Sequence, residues 1–338
     1  MTAQAKTESA DLPAAPPTPV DASGQPSFGA YAGECRDLSF AQLDGPWARG
    51  PLWRIFHAKR WHFVSIAGPR VVTAFAVVDV GYAANAFVYL FDRDAKLLVA
   101  DLSLLGLPGL MGRVADRAVE GARTTWSGGG LKLSLERGAA GWQLSARGPG
   151  GLEIDASLED SAAPTLCAIA PIERGVANCT HKTACLTARG VARVGGRRYD
   201  LDGHSGLVDH THGLLARDTT WRWASASRAD LAFNVVQGFN GPVENVIWHE
   251  GRIHPVGAVE MVYDATTPLG AWRLRSHDGA LDLTFRPEGE RRQNKDLIFA
   301  KSRYLQPIGS FAGTLRLPGG EITVTDLAGV TEDHTARW

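Results

Sequence analysis

The sequence predicts an all-β protein made of two duplicated antiparallel barrel or sandwich units, with few short helices. Three observations predict it. Short strand-like runs outnumber helical ones, glycine-rich turn signals punctuate them, and the second half of the chain repeats the first. In one copy the markers are Gly190, Gly195-Gly196, Gly206, Asp209 and His212; in the other they are Gly313, Gly319-Gly320, Gly329, Glu332 and His334. The first glycine precedes the third marker by 16 residues and the acid by 19 in both copies. The match reaches upstream, where Trp61, Gly81-Tyr82 and Trp142 parallel Trp221, Gly238-Phe239 and Trp272. So long a period is a domain duplication; solenoid repeats run to about 20–50 residues.

Taken in order, residues 1–26 are rich in Ala, Pro, Thr and Ser, lack an apolar signal core and read as a disordered tail. Residues 40–43 are a candidate helical turn. Residues 71–80 form a continuous apolar and β-branched run, followed by a second at 85–90. Residues 105–121 are the remaining helical candidate. Strands are then expected at 131–136, 142–146, 152–158 and 186–194, and in the second copy at 231–237, 245–248, 281–285, 311–317 and 321–327. Leu281-Asp-Leu283-Thr-Phe285 and Ile322-Thr-Val324-Thr325 alternate apolar and polar, the pattern of a strand buried on one face. Between these runs lie hairpin signals such as Gly195-Gly196, Asp278-Gly279 and Gly319-Gly320.

No long amphipathic helices separate the strands and no glycine-rich phosphate loop opens one, so a dinucleotide-binding fold is excluded. A barrel of about eight strands can hold one small ligand. Two such units can share a cavity at their junction. The expected organisation is thus two lipocalin-like units, at residues 27–215 and 216–338.

Apolar residues make up 44% of the 338, enough for a sizeable core, and the net charge of −1 leaves no electrostatic footprint for nucleic acid. The longest apolar run, residues 71–78, is too short to span a bilayer. The four cysteines are expected to be reduced thiols in a cytoplasmic protein. Five of ten tryptophans sit at repeated positions, fit for packing or for lining an apolar ligand pocket.

Several motifs together carry a resemblance: Asp79-Val-Gly-Tyr82, Thr180-x-Lys182, Asp209-x-Thr211-x-Gly213, Glu244-Asn245-x-x-Trp248, Tyr304-x-Gln306 and the ending Glu332-Asp-His334-x-x-Trp338. In these the chain resembles the bacterial domain-of-unknown-function family 2804, over nearly all of its length. That family's fold is similar to the duplicated lipocalin-like arrangement of the carotenoid 1,2-hydratase and tocopherol-cyclase group. The resemblance implies binding or protonation of an apolar isoprenoid without an organic cofactor. It brings no assigned catalytic residue. The residue after Asp209 is usually aromatic in the family, whereas here it is His210, with His212 in addition.

Three constellations could carry chemistry. Asp209-His210-Thr211-His212 sets an acid beside two histidines, as proton donor or relay; the alternative is that Asp209 caps a turn or pairs with Arg217 or Arg222. Glu332-Asp333-His334 with Trp338 reads as a packed ending. Glu244 has an alanine at the matching place in the first copy, so folding explains it less easily, and it is a candidate catalytic acid. Trp61, Tyr82, Trp221, Trp223, Asn245, Trp248, Tyr304 and Gln306 are expected to bind substrate. Cys179-x-His181 with Cys185 matches no established zinc spacing, so no metal and no cofactor are expected. The leading reading is a cofactor-independent hydratase, isomerase or cyclase acting on a hydrophobic small molecule in a tryptophan-lined cavity. The rival is a non-catalytic carrier of such a ligand.

Overall fold

The computed structural model describes residues 11–296 and 300–338. The first part of the chain forms β1 (Gly29–Ala32), helix α1 (Pro51–His57), β2 (Ala58–Ala67), β3 (Val71–Asp79), β4 (Ala84–Asp92) and β5 (Leu97–Gly106). It continues with β6 (Gly112–Arg113), β7 (Arg123–Gly128), β8 (Leu131–Gly138), β9 (Gly141–Gly148), β10 (Leu152–Glu159) and β11 (Leu166–Pro171). Then come β12 (Ala177–Val194), β13 (Arg197–Asp200) and β14 (Ser205–Leu214). The second part forms β15 (Asp218–Arg228), β16 (Leu231–Gly238), β17 (Val246–His249), β18 (Arg252–Pro255) and β19 (Val259–Val262). It ends with β20 (Trp272–Ser276), β21 (Leu281–Asp296), β22 (Lys301–Leu317) and β23 (Gly320–Arg337).

The strands pair into two antiparallel sheets. The main path of the first runs β5-β4-β3-β2-β14-β12-β10-β9-β8-β7-β6, and the second runs β18-β17-β16-β15-β23-β22-β21-β20-β19. From β5 to β8 the two orders correspond strand for strand, with β2 matching β15, β14 matching β23 and β12 matching β22. The first sheet curls into a nearly closed barrel and the second into a half-barrel.

Burial explains the patterns read from sequence. In β10 alternate residues are buried, because one face looks into the barrel. In β3 the first seven residues are all buried. Val71, Phe75 and Val77 pack inside the barrel, while Val72, Ala74 and Ala76 pack against the second unit. A strand covered on both faces loses its alternation, which is why residues 71–78 are apolar at every position but Thr73. The repeated glycines have a backbone cause. Gly190 and Gly313 sit at φ of +134° and +143°, and a Cβ there would collide with the backbone of Asp155 or Asp282 in the adjoining strand.

Three expectations are corrected. Residues 105–121 are no helix: they hold the end of β5, the two-residue strand β6 and turns, since Gly106, Pro108, Gly109 and Gly112 break any helical run. Residues 40–43 are irregular, and the single α-helix among the described residues is α1, begun by Pro51 at its first turn. Of the tail expected to be disordered, residues 1–10 lie outside the described residues, but residues 11–26 are held in place. Ala15 N–H donates to Ala32 O (2.9 Å), Ala32 N–H donates to Pro13 O (2.8 Å), and Val20 is buried. Ala15 ties the segment to β1, while the amides of Asp21 and Gly24 bond within the segment, to Gln25 O and Asp21 O. Among the described residues, no helix is long and apolar enough to cross a membrane.

Candidate active site at the junction of the two units

A cavity of about 230 Å³ opens between the two sheets. Its apolar walls come from both units: Trp61, Phe63, Tyr82 and Phe87 from the first, Trp221, Trp223, Phe239 and Tyr304 from the second. Trp61 and Trp221 occupy matching positions on β2 and β15, and their rings stack across the junction with centroids 6.5 Å apart and planes 13° from parallel.

Each tryptophan donates its indole N–H to a carboxylate on the neighbouring strand. Trp61 Nε1 reaches Asp209 Oδ2 at 3.3 Å, and Trp221 Nε1 reaches Glu332 Oε1 at 2.8 Å. The pairing register produces this: Asp209 on β14 lies opposite Phe63 on β2, and Glu332 on β23 opposite Trp223 on β15. The duplicated acids therefore meet in one cavity.

Their surroundings differ. Asp209 Oδ2 accepts from Lys182 Nζ at 2.6 Å, and its Oδ1 accepts from the hydroxyls of Thr211 (2.8 Å) and Thr180 (3.3 Å). Lys182 is buried; burial opposes its charge, but Asp209 and then Glu244 hold its pKa above the ordinary lysine value. In the second unit the place of Lys182, one strand over from the acid, is taken by Gln306, whose Nε2 donates to Glu332 Oε2 at 3.3 Å. The Tyr304 hydroxyl is near enough to Glu332 to lower its pKa. Burial raises the Glu332 pKa to about 7, against the lowering effect of these neutral donors. His334 Nδ1 lies 3.9 Å from Glu332 Oε1, but burial lowers its pKa to about 3, leaving a neutral imidazole bonded to Ser302 Oγ at 2.9 Å.

Glu244 ends a short helical turn, Gly241–Glu244, and points into the cavity. Its Oε2 accepts from Asn240 Nδ2 (2.9 Å) and lies 4.0 Å from Lys182 Nζ. Burial raises its pKa, only partly opposed by Lys182. On the far wall, Arg291 is anchored to Asp101 (2.8 Å) and lies over the rings of Phe87 and Tyr304, 4.3 and 5.5 Å from their centroids. Its buried Nη2 has no hydrogen-bond partner among the described residues.

Of the residues expected from sequence, the structure brings Asp209, Glu244, Trp61, Tyr82, Trp221, Trp223 and Tyr304 to the cavity, with Gln306 just behind Glu332. Four others lie elsewhere. His210 and His212 project from the opposite face of β14, each bonded through Nε2 to Ala115 O at 2.9 Å. Burial lowers the His210 pKa to about 3 and that of His212 well below the ordinary histidine value, so the expected relay with Asp209 is split across two faces of one strand. Asn245 ties the Val236 amide to Gly257 O, and Trp248 is wholly buried with its N–H on Pro164 O (2.9 Å). Asp209 pairs with Lys182 rather than with an arginine; Arg222 pairs with Asp333 at 3.0 Å. Sequence reasoning quoted Lys182 within a family motif without giving it a site role, and it missed Arg291, which carries no local signal. It also set Glu332 aside as packing, although its match to Asp209 was the signal that could have found it.

No curated protein matches the sequence. Two solved structures share the fold at very low identity. One is CghA with Sch210972 (13% identity, TM-score 0.57, covering 97% of this chain and 96% of that one). The other is kievitone hydratase from Nectria haematococca (10% identity, TM-score 0.51, covering 92% and 98%). A family model described as a domain of unknown function (DUF2804) matches residues 14–338. The chain belongs to that family.

Proposed function

We propose, from that membership and from the junction site, that the protein is a hydratase- or isomerase-type enzyme acting on a small, largely apolar molecule. Glu332 serves as the proton donor. The observation that carries this reading is the unequal treatment of two matching acids. Asp209 is ion-paired with a lysine; Glu332 is hydrogen-bonded by neutral donors and has a pKa of about 7, so near neutrality it has a proton to give.

Trp61, Trp221, Trp223 and Phe239 would hold the apolar body of the substrate, and the unpartnered Arg291 Nη2 would bind an oxygen-bearing end. Proton transfer from Glu332 to an alkene or enol carbon leaves a cation, stabilised by the tryptophan faces and the ion-paired Asp209. Glu244, 4.0 Å from Lys182, would accept a proton from attacking water or from the neighbouring carbon. The kievitone hydratase among the structural neighbours supports the same class.

Native mass spectrometry of protein from its own source should reveal a co-purifying hydrophobic ligand. Incubated with the protein in heavy water, that ligand should gain deuterium, and Glu332→Gln should retain the ligand while losing the exchange. A ligand that binds wild-type protein and never exchanges would mark a carrier and overturn the enzyme reading.

A further inference from the structure

On the opposite face of the first sheet from the cavity, four potential metal ligands converge. Cys167 on β11 lies directly across from His181 on β12, and Cys179 is two residues before His181, so all three side chains share one face of the β11–β12 hairpin. The fourth, Cys35, follows β1 in the N-terminal segment and closes over them. The ligand atoms of the four residues lie within 4.8 Å of one another and all four residues are buried.

We propose that Cys35, Cys167, Cys179 and His181 form a tetrahedral zinc site that fastens the N-terminal segment to the first barrel. Three thiolates and an imidazole are a ligand set zinc favours in closed structural sites. The geometry suits a metal better than a disulfide. Cys35 Sγ lies 3.6 Å from Cys167 Sγ, close to the roughly 3.8 Å edge of a tetrahedron with zinc–sulfur bonds of about 2.3 Å and far from the roughly 2.05 Å of a disulfide. His181 Nε2 accepts from the Cys35 N–H at 3.1 Å while Nδ1 is buried with no partner among the described residues; zinc bound at Nε2 would take over that lone pair and leave the ring proton on Nδ1. Cys185 takes no part: it sits at positive φ within the register shift in β12 and packs toward the second unit.

Zinc binding would release up to three thiol protons to solvent and involve no redox change. All four positions are filled by protein and sealed under Leu38 and Phe40, so the site would be structural, with no open coordination position for substrate. Its target is the Pro- and Ala-rich segment from residue 11 to α1, which the metal would fasten alongside the packing of Val20, Leu38, Phe40 and Leu43.

Elemental analysis of the full chain, expressed with zinc available and purified without chelator, should find about one zinc per molecule. Cys179→Ser should lose it and Cys185→Ser should keep it. Should Cys179→Ser fail to fold, cobalt added to zinc-stripped wild-type protein supplies the second measurement, through the thiolate-to-metal charge-transfer and tetrahedral d–d bands of a Cys₃His site. Stripping the metal should also expose the segment before α1 to limited proteolysis. Wild-type protein that is metal-free with four titratable thiols would overturn the proposal. So would two titratable thiols, which would mean a Cys35–Cys167 disulfide, or zinc retained by Cys179→Ser.

Discussion

Trp61–Asp209–Lys182 and Trp221–Glu332–Gln306 are the same arrangement on the same strands of two matching sheets, differing mainly in one side chain behind the acid. A lysine makes the first a fixed ion pair. A glutamine leaves the second an acid whose burial decides its protonation. On the proposed reading a duplicated scaffold gives its two acids different roles, because a buried carboxylate is governed by its nearest charge. This is the separation of two acids by environment that acid–base chemistry requires.

Breaking the reactive half should have the largest effect. Glu332→Gln keeps the shape and the Trp221 bond but removes the transferable proton; turnover of the captured ligand should fall by about 10²–10⁴-fold with the fold intact by circular dichroism. Breaking the fixed half is next. Lys182→Met strands Asp209 and Glu244 in a buried site, and chemical denaturation should show a loss of about 3–5 kcal/mol. Making the halves alike sharpens the comparison. Gln306→Lys places a cation against Glu332, lowers its pKa, and should reduce turnover at neutral pH while shifting the pH–rate profile to more acid values.

A smaller effect lies in pH-dependent stability. Glu332 has a pKa raised from 4.5 to about 7, so the folded state binds more protons than the unfolded state between those values. Its contribution must therefore decline as pH rises through that window. Wild-type protein should lose more stability than Glu332→Gln between about pH 5 and about pH 8, measured by urea unfolding at each. Equal losses would mean that Glu332 is not the group held protonated. The smallest change is expected from His210→Phe, which lies on the far face of β14 and should leave turnover unchanged.

The all-β class and the duplication were legible because glycine positions and strand periodicity are local, and Gly190 and Gly313 are fixed by backbone collisions that any copy of the fold must avoid. The site was half legible. Asp209 drew notice by the histidines beside it and Glu244 by the alanine at its matching place in the first copy, and both reach the cavity. His210 and His212 were misassigned to that site although alternation along a strand already turns them away from Asp209. The site roles of Lys182, quoted only within a family motif, and of Arg291 were not legible because nothing in a sequence marks a cation as buried; only folding brings Lys182 to Asp209 and Arg291 to Asp101. Likewise, Cys35 and Cys167 lie 132 residues apart, a distance no local spacing rule spans.

The stack of Trp61 on Trp221 sets the cavity on the seam between two copies of one architecture. In a dimer of identical chains, every residue at such a seam would be written twice, and any substitution would alter both half-sites together. A single chain removes that constraint. Position 306 can carry glutamine while position 182 carries lysine, so one acid is free to become reactive without disarming the other. Covalent continuity between the units is therefore itself a source of chemical asymmetry.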